Sequence, residues 1–148
     1  PGFAACVLQK NGVILGPDDC HGSMETIQVG NVRITPIPSR HIGAAGKTTP
    51  HASFLISGSR QVLFTGDAAP LQWRQVDLPK LDVLIAPYAY ANTATGWELS
   101  KSMNANTIVL LHMPALEDDT IGLWPVVEQT TSGADNLQIP QMGQTLQI

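Results

Sequence analysis

The chain has 148 residues, of which 43% are hydrophobic and 14% charged, and it carries a formal net charge of −4. A length of this order fits one domain, and a disordered chain would be poorer in apolar residues and richer in charge. The negative charge offers no basic surface for nucleic acid, and no apolar run reaches the roughly 18 residues that a membrane span needs. We therefore expect a soluble globular chain, with residues 1–148 forming one unit and the cytoplasm as the default compartment.

The two cysteines and the N-terminus say little about function. Cys6 and Cys20 match neither a zinc nor a redox CxxC spacing. We interpret them as buried thiols, with one disulfide as the alternative in an exported protein. No signal peptide is recognisable, and the start at Pro1 rather than at Met suggests a fragment of a longer protein.

The first half of the chain alternates short β-type runs with turn residues, a pattern typical of a β-meander. Three hairpins are predicted, with turns at Asn11-Gly12, Gly30-Asn31 and Gly58-Ser59. Residues 52–57 alternate between an apolar face and a mixed face, as a half-buried strand does. We therefore expect antiparallel strands in this half.

The second half has a different pattern. Residues 82–86 and 107–111 are short, almost wholly apolar runs, as expected of strands that are covered on both faces. Helices are predicted over residues 92–103 and 121–129, and a last hairpin over residues 137–148. Together the two halves predict an α/β fold, a mixed β-sheet with helices on its outer face.

Three residues with metal-binding side chains follow predicted strands. His41, Asp67 and His112 each come directly after or within a few residues of a strand end. The carboxyl ends of parallel strands meet at one edge of a sheet, where ligand sites collect. Histidine and aspartate are ligands that zinc, iron and manganese accept. We expect the three side chains to converge to within roughly 8 Å, as ligands about 2 Å from shared metals require.

The surroundings of these residues resemble the C-terminal half of the metallo-β-lactamase fold superfamily. The closest resemblance is to the branch that contains ascorbate-6-phosphate lactonase and N-acyl-phosphatidylethanolamine phospholipase D. The elements that carry it, in chain order, are Pro38-Ser39-Arg40-His41, the Gly66-Asp67 step after a strand, Leu81-Asp82-Val83, Leu110-Leu111-His112 and Pro140-Gln141-Met142-Gly143. The resemblance implies half of an αββα sandwich.

What the resemblance implies for chemistry is metal-dependent hydrolysis of an ester, lactone or phosphodiester in a small-molecule substrate. His41 would be a ligand of a first metal ion, and His112 a ligand of a second. Asp67 would bridge both and act as the catalytic carboxylate, because a shared carboxylate offsets the repulsion between two cations. Zinc is the expected metal, with manganese or iron as alternatives, and two ions are expected in the complete protein.

The superfamily motif His-x-His-x-Asp-His is absent from this chain. We therefore expect an incomplete half-site that is inactive alone. The exposed sheet face would be covered by a missing N-terminal half or by a second copy of the chain. Two alternatives remain: a non-catalytic scaffold or binding domain of the same fold, and an unrelated β-rich binding module in which these residues are placed by coincidence.

Other polar residues near the predicted edge are weaker candidates. His51, Tyr88 and Tyr90 are candidates for the substrate rim, with a loop histidine and rim packing as the alternative interpretations. His21 is a possible substitute ligand, although its neighbours do not match the motif, and Lys47 could meet an anionic substrate.

Overall fold

A computed structural model describes residues 25–43, 49–141 and 143–147. The strands in these residues are β1 (Ile27–Val29), β2 (Val32–Pro38), β3 (Ala52–Ser57), β4 (Gln61–Phe64), β5 (Val83–Pro87), β6 (Thr107–Leu111) and β7 (Leu137–Gln138). The helices are α1 (Ala94–Ser102) and α2 (Leu123–Thr130), with short 3₁₀ helices at Pro70–Gln75, Tyr88–Tyr90 and Leu116–Asp118. The first predicted hairpin, both cysteines, His21 and Lys47 lie outside the described residues.

The strands form one seven-stranded sheet in which spatial order follows chain order from β1 to β7. Strands β1 to β4 pair antiparallel, and β4 to β7 pair parallel. Antiparallel neighbours need only tight turns, whereas parallel neighbours need a crossover, and α1 and α2 supply two of these crossovers. The mixed α/β sheet predicted from the sequence is confirmed.

The helices cover one face of this sheet. Their side chains pack with every second residue of the central strands into one core. The strand residues of this core include Leu63, Leu84, Ala86, Ile108 and Leu110, and its helical residues include Trp73, Tyr90, Trp97, Leu123 and Val127. The deepest of them, such as Leu63 and Leu84, have no exposed surface, so the core anchors the strands whose ends carry the candidate site.

A side-chain acceptor binds the first N–H groups of each helix. The Thr93 hydroxyl accepts a hydrogen bond from the Gly96 N–H at 3.1 Å and fixes the start of α1. The Asp119 carboxylate accepts bonds of 2.8 Å from the N–H groups of Leu123 and Trp124 at the start of α2. These bonds hold the pKa of Asp119 below its usual value. Both helices lie within one or two residues of their predicted ranges.

The opposite face of the sheet is also apolar. Side chains alternate between the two faces along a strand, so this face carries the residues between those of the core face. They include Phe54, Ile56, Val62, Phe64 and Ile85, several of which pair with one another across the strands. Four of the five are half-buried, and Phe64 is 36% exposed. None of these five residues belongs to the core on the other face.

The C-terminal hairpin predicted over residues 137–148 is wrong in the part of the chain that is described. Strand β7 spans Leu137–Gln138 alone and pairs parallel with β6, and residues 139–141 and 143–147 form no strand. The carbonyl of Asn136 accepts the Ile108 N–H at 2.8 Å, which places the strand beside β6. No helix in the described residues is long and apolar enough to cross a membrane.

Candidate functional site

Asp67 lies in a tight turn that directly follows β4. The turn closes through a 3.2 Å bond from the Ala68 N–H to the Thr65 carbonyl, and Gly66 adopts a positive φ of 54° that favours glycine. The Asp67 carbonyl accepts the Ile42 N–H at 2.8 Å. The backbone on both sides of Asp67 is therefore held, and its carboxylate projects from a fixed turn.

His41 reaches this turn from the end of β2. Its backbone forms an isolated antiparallel bridge with Ala68. Its Nδ1 lies 2.7 Å from the Ile42 carbonyl oxygen, which can only accept, so Nδ1 carries the proton. The other nitrogen, Nε2, faces Asp67 with 3.7 Å between Nε2 and Oδ2. A histidine whose second nitrogen bonds a carbonyl is oriented as metal-binding histidines commonly are.

His112 comes directly after β6 and approaches the other carboxylate oxygen. Its Nδ1 lies 3.1 Å from Asp67 Oδ1, and its side chain is 57% exposed. The backbone of His112 has a φ of 62°, in the left-handed region that non-glycine residues seldom adopt. Such strain tends to occur at functional sites, where the surrounding structure holds it.

The sequence-predicted trio is thus brought together around one carboxylate, with one oxygen toward each histidine. These separations are close to the distance between two ligands of the same metal ion, which is about 3.4 Å for ligands about 2.1 Å from a tetrahedral centre. The chemistry of the donor set fits a metal. Among the described residues, however, no group of three or more His, Cys, Asp or Glu side chains is arranged to hold a metal ion by itself. The described residues supply a partial ligand set, and the ligand roles stay a prediction.

His51 lies behind this cluster, and its two ring nitrogens are both engaged by the protein. Nε2 accepts the Asp67 N–H at 3.0 Å, and Nδ1 bonds the Ser39 hydroxyl. The ring meets that of His41 edge-on, with 5.6 Å between the centroids. Burial lowers the pKa of His51, as does the nearby His41, while Asp67 acts in the opposite direction. The substrate contact expected of His51 stays a prediction, and both of its ring nitrogens already have protein partners.

Tyr90 is corrected, because the structure places it in the core rather than on the rim. It has no exposed surface, and its hydroxyl accepts a hydrogen bond from Trp73 Nε1. Burial raises the pKa of Tyr90 to about 12, partly opposed by that hydrogen bond. Tyr88 is half-buried and lines a cavity beside His112, so its role at the substrate rim stays a prediction.

This cavity has a volume of about 330 Å³ and opens next to the candidate site. His112 and Tyr88 form part of its wall, and the remaining wall is partly apolar, with Met113, Ile121 and Leu123. Ile121 is 77% exposed. A small molecule held here would lie against the His112 ring.

Two serines that the sequence analysis did not single out connect His51 to β3 and β4. The Ser53 hydroxyl lies 3.0 Å from that of Ser39 and 2.8 Å from the Thr65 carbonyl. Ser53 is fully buried although serine is usually exposed. The available signal was its place within the mostly apolar strand β3, where a buried hydroxyl needs a partner.

Comparison with known proteins identifies the fold. No family model and no curated protein sequence matches the chain. A possible metal-dependent hydrolase from Veillonella parvula is similar in structure at 14% identity, with a TM-score of 0.59 over 84% of this chain and 57% of that one. YhfI from Bacillus subtilis, a metallo-β-lactamase-fold protein, is 16% identical with a TM-score of 0.53 over 95% of this chain and 58% of that one.

A variant of the β-hydroxylase CmlA is also similar, at 14% identity, with a TM-score of 0.53 over 80% of this chain and 31% of that one. CmlA is a diiron β-hydroxylase from Streptomyces venezuelae. The chain has the α/β architecture of metallo-β-lactamase-fold proteins, as the sequence resemblance implied. It spans less than two thirds of the length of each of these similar structures.

Proposed function

We propose that this chain is part of a metal-dependent hydrolase that cleaves an ester, lactone or phosphodiester bond in a small molecule. The observation that carries the proposal is the position of the Asp67 carboxylate, with Oδ2 toward His41 Nε2 and Oδ1 toward His112 Nδ1. The fold agrees with it, because similar structures include a possible metal-dependent hydrolase and a metallo-β-lactamase-fold protein. The resemblance to the lactonase and phospholipase D branch favours these three bond types.

His41, Asp67 and His112 would hold the metal, with Asp67 shared between two ions. A metal held there would acidify a bound water and polarise the scissile bond. The contribution of the chain is orientation: the Ile42 carbonyl holds the proton of His41 on Nδ1, which leaves the Nε2 lone pair directed at the site. Zinc is the first candidate, and manganese and iron are alternatives, since all three accept histidine and aspartate ligands.

The remaining ligands would come from protein outside the described residues. A dinuclear site of this kind needs more donors than the three present, and no group of three or more described His, Cys, Asp or Glu side chains is arranged to hold a metal ion by itself. The apolar sheet face that carries Phe54, Ile56 and Phe64 would pack against the part that supplies them. That part is an N-terminal half of the same fold, or a second copy of the chain.

The test compares the 148-residue chain with the protein produced from its complete gene. Each is titrated with zinc and manganese and assayed on a generic phosphodiester, an ester and a lactone. We expect the chain alone to bind metal weakly or not at all and to show no turnover. We expect the complete protein to bind metal and to hydrolyse at least one of the substrates. In the complete protein Asp67→Asn should abolish turnover, while Asp135→Asn, at an exposed carboxylate, should not change it. Turnover by Asp67→Asn at the wild-type rate would contradict the proposal.

A non-catalytic domain of the same fold is the second candidate. The specific observation in its favour is that, among the described residues, no group of three or more His, Cys, Asp or Glu side chains is arranged to hold a metal ion. Such a domain would keep the Asp67 turn for structural reasons. A complete protein that binds metal at no site affected by Asp67→Asn and hydrolyses none of the three substrates would support this reading.

A further inference from the structure

We propose that His51 is a positioning residue. With its ring proton on Nδ1, it closes a ring of hydrogen bonds that clamps the turn Thr65–Gly66–Asp67 and aims the Asp67 carboxylate at His41 and His112. The effect of His51 on metal affinity rests on the proposed function. The series of hydrogen bonds through His51, Ser39 and Ser53 does not depend on the proposed function.

The proton positions follow from what each group can donate. The Asp67 N–H can only donate, so Nε2 of His51 must offer a lone pair, and the ring proton resides on Nδ1. Nδ1–H then donates to the Ser39 hydroxyl oxygen. A backbone N–H as the partner decides the tautomer of a histidine, because it can only donate.

The remaining hydrogen bonds of the series run through Ser53 and Ser39. The Ser53 hydroxyl donates toward the Thr65 carbonyl at 2.8 Å and toward the Ser39 hydroxyl oxygen at 3.0 Å, so its single proton is shared between these two acceptors. Ser39 therefore accepts from both His51 and Ser53. The series of bonds begins at the Asp67 N–H and ends at the Thr65 carbonyl, two residues earlier in the same turn.

Two further contacts show that this arrangement is built around His51. A Cβ atom added to Gly66 would lie 2.9 Å from His51 Nε2 and 3.2 Å from Cε1, so the ring packs directly on the turn. The Ser39 N–H also bonds the His51 carbonyl at 3.0 Å, which ties the two residues together through the backbone as well. An imidazole that is held on both sides can hold the turn that it contacts.

The experiment uses heteronuclear NMR of the nitrogen-labelled imidazole and hydrogen exchange of the Asp67 amide, both without metal. We expect His51 to carry its proton on Nδ1. The Asp67 amide should lose about fivefold to tenfold in protection in His51→Phe and in His51→Asn. His51→Gln should retain it, because the glutamine amide oxygen occupies the position of Nε2, whereas the asparagine amide reaches only that of Nδ1.

If His51 acted by packing alone, the Asp67 amide would be better protected in His51→Phe than in His51→Gln, since phenylalanine replaces the imidazole most closely in volume. A proton on Nε2, or undiminished Asp67 protection in His51→Phe, would overturn the inference. If His51→Phe fails to fold, the position of the ring proton of His51 in the wild-type protein still tests the inference. With metal, His51→Phe should weaken zinc binding by roughly 10-fold to 100-fold and His51→Gln less. A wild-type protein that binds no metal would refute the proposed function and leave the tautomer result standing.

Discussion

Nδ1 of His112 lies 3.1 Å from Oδ1 of Asp67, although the whole of β5 separates the two strands that carry them. The approach depends on the backbone of His112, whose φ of 62° turns the chain sharply as it leaves β6. The sheet places both residues at one edge, and this local strain is associated with the final approach.

This strain should be separable from metal binding. Asparagine and glycine tolerate the left-handed region better than histidine does. His112→Asn and His112→Gly should therefore keep or raise the thermal midpoint by relieving up to about 1 kcal/mol, while they weaken zinc binding by the complete protein. Asn104→Gly is the matched control, because Asn104 has a φ of 53° and is exposed away from the site. A control that also loses zinc affinity, or a His112→Asn that does not, would count against the metal role.

Gly66→Ala tests the turn from the other side. Both Gly66 and Gly133 have a positive φ, so alanine at either should cost about 1 kcal/mol of backbone strain. At Gly133 a Cβ meets nothing within 4 Å, whereas at Gly66 it must displace the His51 ring. We expect Gly66→Ala to lower the midpoint further than Gly133→Ala in parallel thermal melts, and it alone should alter the Asp67 amide resonance. Equal effects would show that the His51 contact is unimportant.

Leu63 and Phe64 are neighbours in β4 on opposite faces of the sheet. Leu63 is fully buried in the core, and Leu63→Ala should cost about 2–5 kcal/mol in unfolding free energy. Phe64 is 36% exposed in the described structure, so Phe64→Lys should be mild if its face is open.

If another layer covers that face, as we propose, Phe64→Lys should destabilise the complete protein about as much as Leu63→Ala does. Denaturant unfolding of both variants distinguishes the two cases. A Phe64→Lys protein with the wild-type midpoint would mean that nothing packs on the second face.

Asp119 should make α2 sensitive to acid. Hydrogen bonds from the N–H groups of Trp124 and Leu123 lower the pKa of this carboxyl in the folded state, so its stabilising effect is fully present above the unfolded pKa and is lost as the pH falls through the folded one. Asp119→Ala should have a lower thermal midpoint than the wild type at neutral pH, and the difference between the two midpoints should narrow below about pH 4. Asp135→Ala is the control at an exposed carboxylate. A gap that does not depend on pH would exclude the charged carboxylate as its cause.

The strand and helix pattern was largely predictable because it follows from local periodicity. Turn residues at Gly30 and Gly58 predicted the hairpins, and a threonine cap at Thr93 starts α1 close to its expected position. The hairpin after residue 137 was mispredicted because β7 pairs in parallel with β6, a partner almost thirty residues away that no local signal reveals. Tyr90 was mispredicted for a similar reason: its burial depends on Trp73.

For the site, the sequence by itself determined which residue types stand at strand ends, and so identified His41, Asp67 and His112 as candidates. Only the tertiary structure decided that one carboxylate faces both histidines, and that His51 and two serines hold the turn from behind. The physical reason is the range of the interactions. Periodicity and caps act over a few residues, whereas hydrogen-bond direction and ring packing depend on atoms that β2, β3 and β4 bring together from distant parts of the chain.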